Sequence, residues 1–187
     1  MAGIGFELRK ILKRDNYFAL LEAYTYAGLI GAGPWILSIV GVQLIGFFLS
    51  LTVVVPQFSV AQFQVSVTYL LAASLIVTGP LQLAFTRYIA DRLFDKHEEQ
   101  VLPNFLGAQL FTLLVAAVIG GVLFFTAFAG LDLVYRLLMF TGFILLCLIW
   151  IAAIFLSGMK RYLAIVWLFA LGYGVTVIVA LWLRPYG

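Results

Sequence analysis

The chain alternates between short polar stretches and long runs that carry no charge in their interiors. Five apolar runs lie near 24–52, 64–88, 105–129, 134–157 and 163–183. Each is long enough to cross a bilayer as a helix, which needs about 20 residues at about 1.5 Å rise. Helix is the required form, because an open strand in lipid leaves backbone N–H and C=O groups unpaired. The pattern therefore predicts an all-α, polytopic membrane bundle of five transmembrane helices over residues 21–187. Ahead of it, residues 4–19 drawn as a helix put Ile4, Leu8, Ile11, Leu12, Phe18 and Ala19 on one side. Arg9, Lys10, Lys13, Arg14 and Asn16 fall on the other. Phe6 interrupts the polar side, and Asp15 the apolar side, where it can cap the following helix. Residues 1–20 are thus expected to form an amphipathic helix at the membrane surface. Arg9, Lys10, Lys13 and Arg14 suit either anionic lipid or a docked cytoplasmic partner, and the sequence favours neither.

Composition agrees with the pattern. Of 187 residues, 65% are hydrophobic and 10% charged, and mean hydropathy is +1.14. A soluble domain has about 25% charged residues, so this chain lacks the polar groups to cover a water-facing surface. Net charge is +3, with Lys and Arg gathered at the ends of runs; that is no nucleic-acid footprint. One cysteine, Cys147, lies inside an apolar run, which excludes an internal disulfide. The start, MAGIGFELRKILKRDN, lacks the short apolar core and small-residue cleavage site of a signal peptide.

The basic residues also give an orientation. Arg9, Lys10, Lys13, Arg14, Arg87, Arg92, Lys96, Lys160 and Arg161 fall on one side of the alternating spans, and Arg136 and Arg184 on the other. The excess marks the cytoplasmic side, so the N-terminus is expected inside.

The stretch TGPLQLAFTRYIADRLFDKHEEQ, residues 78–100, turns from apolar to mixed charge at Arg87. Most of that charge suits the solvated cytoplasmic end of a span. Asp91 and Asp95 share a helical face, but Arg92 and Lys96 interleave them and no second acidic motif exists. His97 is the only histidine. No metal site is expected, nor any cofactor. Ala23, Ala27 and Gly31 form a small-residue stripe that lets helices approach in lipid. Gly33-Pro34 and Gly79-Pro80 are either packing features or helix hinges, since proline removes a backbone donor; Gly120-Gly121 is a weaker case. GLIGAGPW is no phosphate loop, because no strand can precede it. No nucleophile–base pair, Walker lysine or H-E-x-x-H motif is present, and no enzyme is predicted. No Asp or Glu lies deep in a run: Glu22 and Asp132 sit at edges. The polar side chains available to an internal path are Gln43, Thr78, Gln82, Thr86 and Arg87, with Tyr24, Tyr26, Trp35, Phe85 and Tyr88 near them in sequence. The aromatics fit either an interfacial belt or sugar stacking. Gln82, Thr86, Arg87, Tyr88 and Glu22 are the candidate substrate path. In it Arg87 is expected to be a pin to Asp91 or Glu22 rather than a direct ligand.

The opening MAGIGFELRKILKRD, the AGPW of the first run and TGPLQLAFTRYIADRLFD together resemble the PelG family. These are inner-membrane transporters of the Pel exopolysaccharide system, related to the multidrug/oligosaccharidyl-lipid/polysaccharide flippase superfamily. The resemblance implies passage of a partly cationic amino-sugar polymer from cytoplasm to periplasm. It also implies work beside the glycosyltransferase PelF and the membrane proteins PelD and PelE, besides membrane lipids. The superfamily builds twelve spans in two lobes, and five spans here look like most of the N-terminal lobe. Two other functions remain open: a small-molecule or cation antiporter of the same fold, which the lack of a deep acid disfavours, and a non-transporting scaffold that docks a cytoplasmic glycosyltransferase.

Overall fold

The computed structural model describes residues 17–50, 57–159 and 161–183, and these are helical almost throughout. Five long helices appear: α1, Tyr17–Ser50; α2, Gln57–Phe94; α3, Val101–Phe125; α4, Leu133–Gly158; and α5, Tyr162–Leu183, with a short 3-10 turn at Glu98–Gln100 before α3. The number and type of elements are those the apolar runs predict. Among the described residues, three helices are long and apolar enough to cross a membrane, over Ala61–Phe94, Glu98–Phe125 and Leu133–Gly158. Residues 1–16, with the basic side chains of Arg9, Lys10, Lys13 and Arg14, lie outside the described residues.

The ends of α4 and α5 fall within one residue of the apolar runs, whereas α1 starts at Tyr17 and α2 continues to Phe94. The α2 overrun has a plain cause. Helical hydrogen bonding does not stop where an apolar run ends, and Arg87, Asp91 and Arg92 continue the same helix. At that end α2 closes with a two-bond C-terminal cap. His97 N–H donates to Arg92 O at 2.9 Å and Lys96 N–H to Leu93 O at 3.4 Å. The cap places Lys96 in the left-handed region, φ 59°, where a Cβ is unfavourable. Lys96→Gly should raise thermal stability in detergent by up to about 1 kcal/mol, offset in part by a freer unfolded chain. Lys96→Val, β-branched at the same φ, should lower it. Pro103 is tolerated because it falls in the first turn of α3, where no intrahelical donor is needed.

The chain divides into two compact units, residues 1–65 with 160–187, and residues 66–159. In the first, α1 packs on α5. A Cβ on Gly41 would meet the Tyr173 ring, and one on Gly46 would meet the Gln64 amide. Gln64 Nε2 in turn donates to Gln43 Oε1 at 3.3 Å. Close approach at small residues is how helices associate where lipid removes the hydrophobic drive.

The second unit holds α2 from Ser66 to its end, together with α3 and α4, around two apolar clusters. Phe85, Ile89 and Val101 form one, with Tyr88, Phe105 and Phe155 against them; the Phe105 and Phe155 rings stack at 4.3 Å. Ala116, Phe143 and Cys147 form the other, with Leu70, Ala73 and Val77. Two side-chain hydrogen bonds tie α2 to α4: Ser66 Oγ with Tyr135 Oη at 2.6 Å, and Trp150 Nε1–H to Ser74 Oγ at 2.9 Å.

Candidate functional site

The polar side chains of α2 form a ladder at four-residue spacing. Ser74 Oγ donates to Leu71 O at 2.9 Å. Thr78 Oγ1 donates to Ser74 O at 2.7 Å, Gln82 Nε2 to Thr78 Oγ1 at 2.7 Å, and Thr86 Oγ1 to Gln82 O at 2.7 Å. Four residues make a little over one helical turn, so each rung lies above the last on one side of the helix. Ser74 and Thr78 are buried, 0% and 2% exposed, while Gln82 and Thr86 are partly buried. The ladder thus starts inside the helix packing, under Trp150, and ends at its margin.

The ladder fixes the orientation of the Gln82 amide. A threonine hydroxyl has one proton, and that of Thr78 goes to Ser74 O. Thr78 Oγ1 can therefore only accept from Gln82, which turns the NH₂ group toward Thr78 and the carbonyl oxygen away. Gln82 Oε1 has no partner among the described residues. At the margin of the interface, the ladder presents a hydrogen-bond acceptor whose direction is set by three residues behind it.

Pro80 lies within α2, which runs through Gly79-Pro80 without interruption. Gly79 has open space where a Cβ would stand. Pro80 is exposed, with Ile76, Leu83 and Arg87 on the same side of the helix. The side that lacks a backbone donor therefore faces outward, and the side-chain ladder braces the other. The α1 helix likewise continues through Gly33-Pro34, but the surroundings of those two residues lie outside the described residues. Gly120-Gly121 leaves α3 continuous; a Cβ on Gly120 would come 3.0 Å from the Phe140 ring, so tight packing occupies that glycine.

The expected path residues do not share one face. Arg87 is exposed, turned away from the Gln82–Thr86 flank. No ion pair joins it to Asp91 among the described residues, and the side chain of Glu22 lies outside them. Tyr88 lies on the opposite flank: its ring stacks on Phe85 at 6.1 Å, and its hydroxyl accepts from Asn104 Nδ2 at 2.7 Å. The Arg92 guanidinium lies 5.3 Å from the centre of the Tyr88 ring. Gln82 and Thr86 stay together, and Arg87 and Tyr88 separate from them on either side. Asp91, Asp95 and His97 are exposed, and no group of three metal-ligating side chains occurs among the described residues.

Ser74, Trp150 and Asn104 belong to this arrangement but not to the residues singled out in the sequence. Ser74 was reachable by extending the Thr78, Gln82, Thr86 spacing back by four. Trp150 and Asn104 carry no local signal, since each acts across the packing of two helices.

The ladder is a hydrogen-bonded line of neutral polar side chains in an otherwise apolar span. No curated protein and no solved structure matches the chain. The model of the PelG family, exopolysaccharide exporter (EPS-E), matches residues 1–187. With its whole length covered and its apolar helices able to cross a membrane, the chain belongs to the PelG exopolysaccharide exporter family.

Proposed function

We propose that this chain takes part in moving an exopolysaccharide out of the cytoplasm across the bacterial inner membrane, and that the Gln82–Thr86 flank of α2 meets the polymer. The observation that supports the reading is the outward acceptor at Gln82, held by the donation of its own N–H to Thr78. Sugar hydroxyls and amino groups are donors. An acceptor already oriented binds them without the entropic cost of immobilising a free glutamine. A neutral amide also suits a cationic amino-sugar polymer, which a fixed positive charge would repel. The basic residue distribution supports a cytoplasmic N-terminus, with the charged end of α2 on the same side. By resemblance to the Pel system, PelF, PelD and PelE are the partners, with Arg9, Lys10, Lys13 and Arg14 as a docking or lipid-contact surface.

In secreting cells, Gln82→Leu should cut secreted polymer by about twofold to tenfold, the worth of one hydrogen bond of about 0.5–1.5 kcal/mol. Protein abundance should remain normal. Arg87→Ala, on the exposed side, should have the smaller effect. Normal secretion from Gln82→Leu would remove this flank from the path.

A further inference from the structure

In the second unit, a cleft opens between α2 and α3 with α4 as its floor. Leu70 and Ala73 form one wall, Gly120 and Leu123 the other, and Phe140 and Phe143 the base; its volume is about 140 Å³. An apolar cavity of about 150 Å³ stays dry and takes a benzene-sized group, so this cleft has room for a short length of hydrocarbon and no use for water. Beyond its Phe140 end, next to the lining but not part of it, lies a cation with no carboxylate partner among the described residues. Arg136 is one turn before Phe140 on α4. Its guanidinium lies 4.2 Å from the centre of the Phe124 ring, which meets Phe140 edge to face at 6.0 Å. Arg136 Nη2 donates to Phe124 O at 2.5 Å, and its Nε is enclosed with no partner. No carboxylate pairs with it among the described residues. Asp132, the nearest acid in sequence, accepts the Val134 N–H at 3.0 Å and caps α4.

We propose that this cleft is a phospholipid site, with one acyl chain between α2 and α3 and the lipid phosphate at Arg136. The occupant follows from the two ends taken together. Arg136 lies near the first turn of a membrane-spanning helix, where headgroups lie, and the cleft residues Phe140 and Phe143 follow it on the same side of α4 toward the apolar part of the span. An arginine retains several donors after one is used, and phosphate is the anion that its fork matches. A packed helix of a second copy would fill the cleft but leave the cation without its counter-charge.

The test uses the full chain in vesicles of phosphatidylethanolamine with a phosphatidylglycerol that carries a photoactivatable diazirine in one acyl chain. Labelled residues are then mapped by mass spectrometry. Label should concentrate on the α4 segment around Phe140 and Phe143, several-fold above the exposed α2 residues Ile76 and Leu83. Leu123→Trp, at an exposed position on the mouth, should reduce that labelling several-fold while helicity is unchanged. Arg136→Gln should lower it too, and Arg136→Lys, which keeps the charge, should restore part. Label spread evenly over exposed residues would overturn the proposal. So would labelling indifferent to both Leu123→Trp and Arg136→Gln. Protection of the cleft with cross-links between copies would overturn it in favour of a protein interface.

Discussion

Gly158→Ala should destabilise the protein, although alanine is the better helix former. A Cβ at Gly158 would stand 2.6 Å from Ile89 Cγ2 and 2.9 Å from its Cδ1. Ile89 is 0% exposed and branched at Cβ, which restricts the rotamers available to move aside. Overpacking of this kind costs about 1–3 kcal/mol. The gain in helix propensity is at most about 1 kcal/mol, and less at Gly158, the last residue of α4. The clash wins. Thermal unfolding of the detergent-solubilised protein should show a lower midpoint for Gly158→Ala and a larger fall for Gly158→Leu. In an Ile89→Ala background, itself less stable because Ile89 is buried, the further loss from Gly158→Ala should be smaller than in the unaltered protein, because the two sites share one contact. A neutral or stabilising Gly158→Ala would mean that α2 and α4 do not approach at this point.

The apolar runs made the helices legible because lipid demands the same thing of every span: length, low charge and internal hydrogen bonding. They did not place the water-side end of α2, since nothing apolar is required of a helix beyond the membrane. Within the site, Thr78, Gln82 and Thr86 were legible as polar positions in a greasy helix. Their direction was not. Arg87 follows Thr86 by one residue and so stands about 100° round the helix from it; adjacency in sequence suggested a shared face that burial divides. The orientation of the Gln82 amide depends on where the Thr78 proton goes, and the anchoring of Ser74 depends on Trp150, 76 residues away. A contact at that separation is a property of packing, and one sequence holds no local trace of it.

Photo-cross-linking from α2 during active secretion gives the second large effect, because contact with the polymer is close to all or none. A photoreactive amino acid is placed singly at Gln82, Thr86, Leu83 and Ile76 in secreting cells, with polymer synthesis running. Gln82 and Thr86 lie on the partly buried flank where the ladder emerges, and Leu83 and Ile76 lie about 60–120° further round the same helix, on its exposed side. The four positions span about 15 Å along the helix axis, and Leu83 lies between Gln82 and Thr86 in depth, so its comparison with those two isolates the side of the helix. Polymer should be captured from positions 82 and 86 and not from 83 or 76, and the capture should disappear when synthesis is stopped. Capture from 83 and 76 instead, or from none of the four while secretion proceeds, would contradict the assignment of the Gln82–Thr86 flank to the export path.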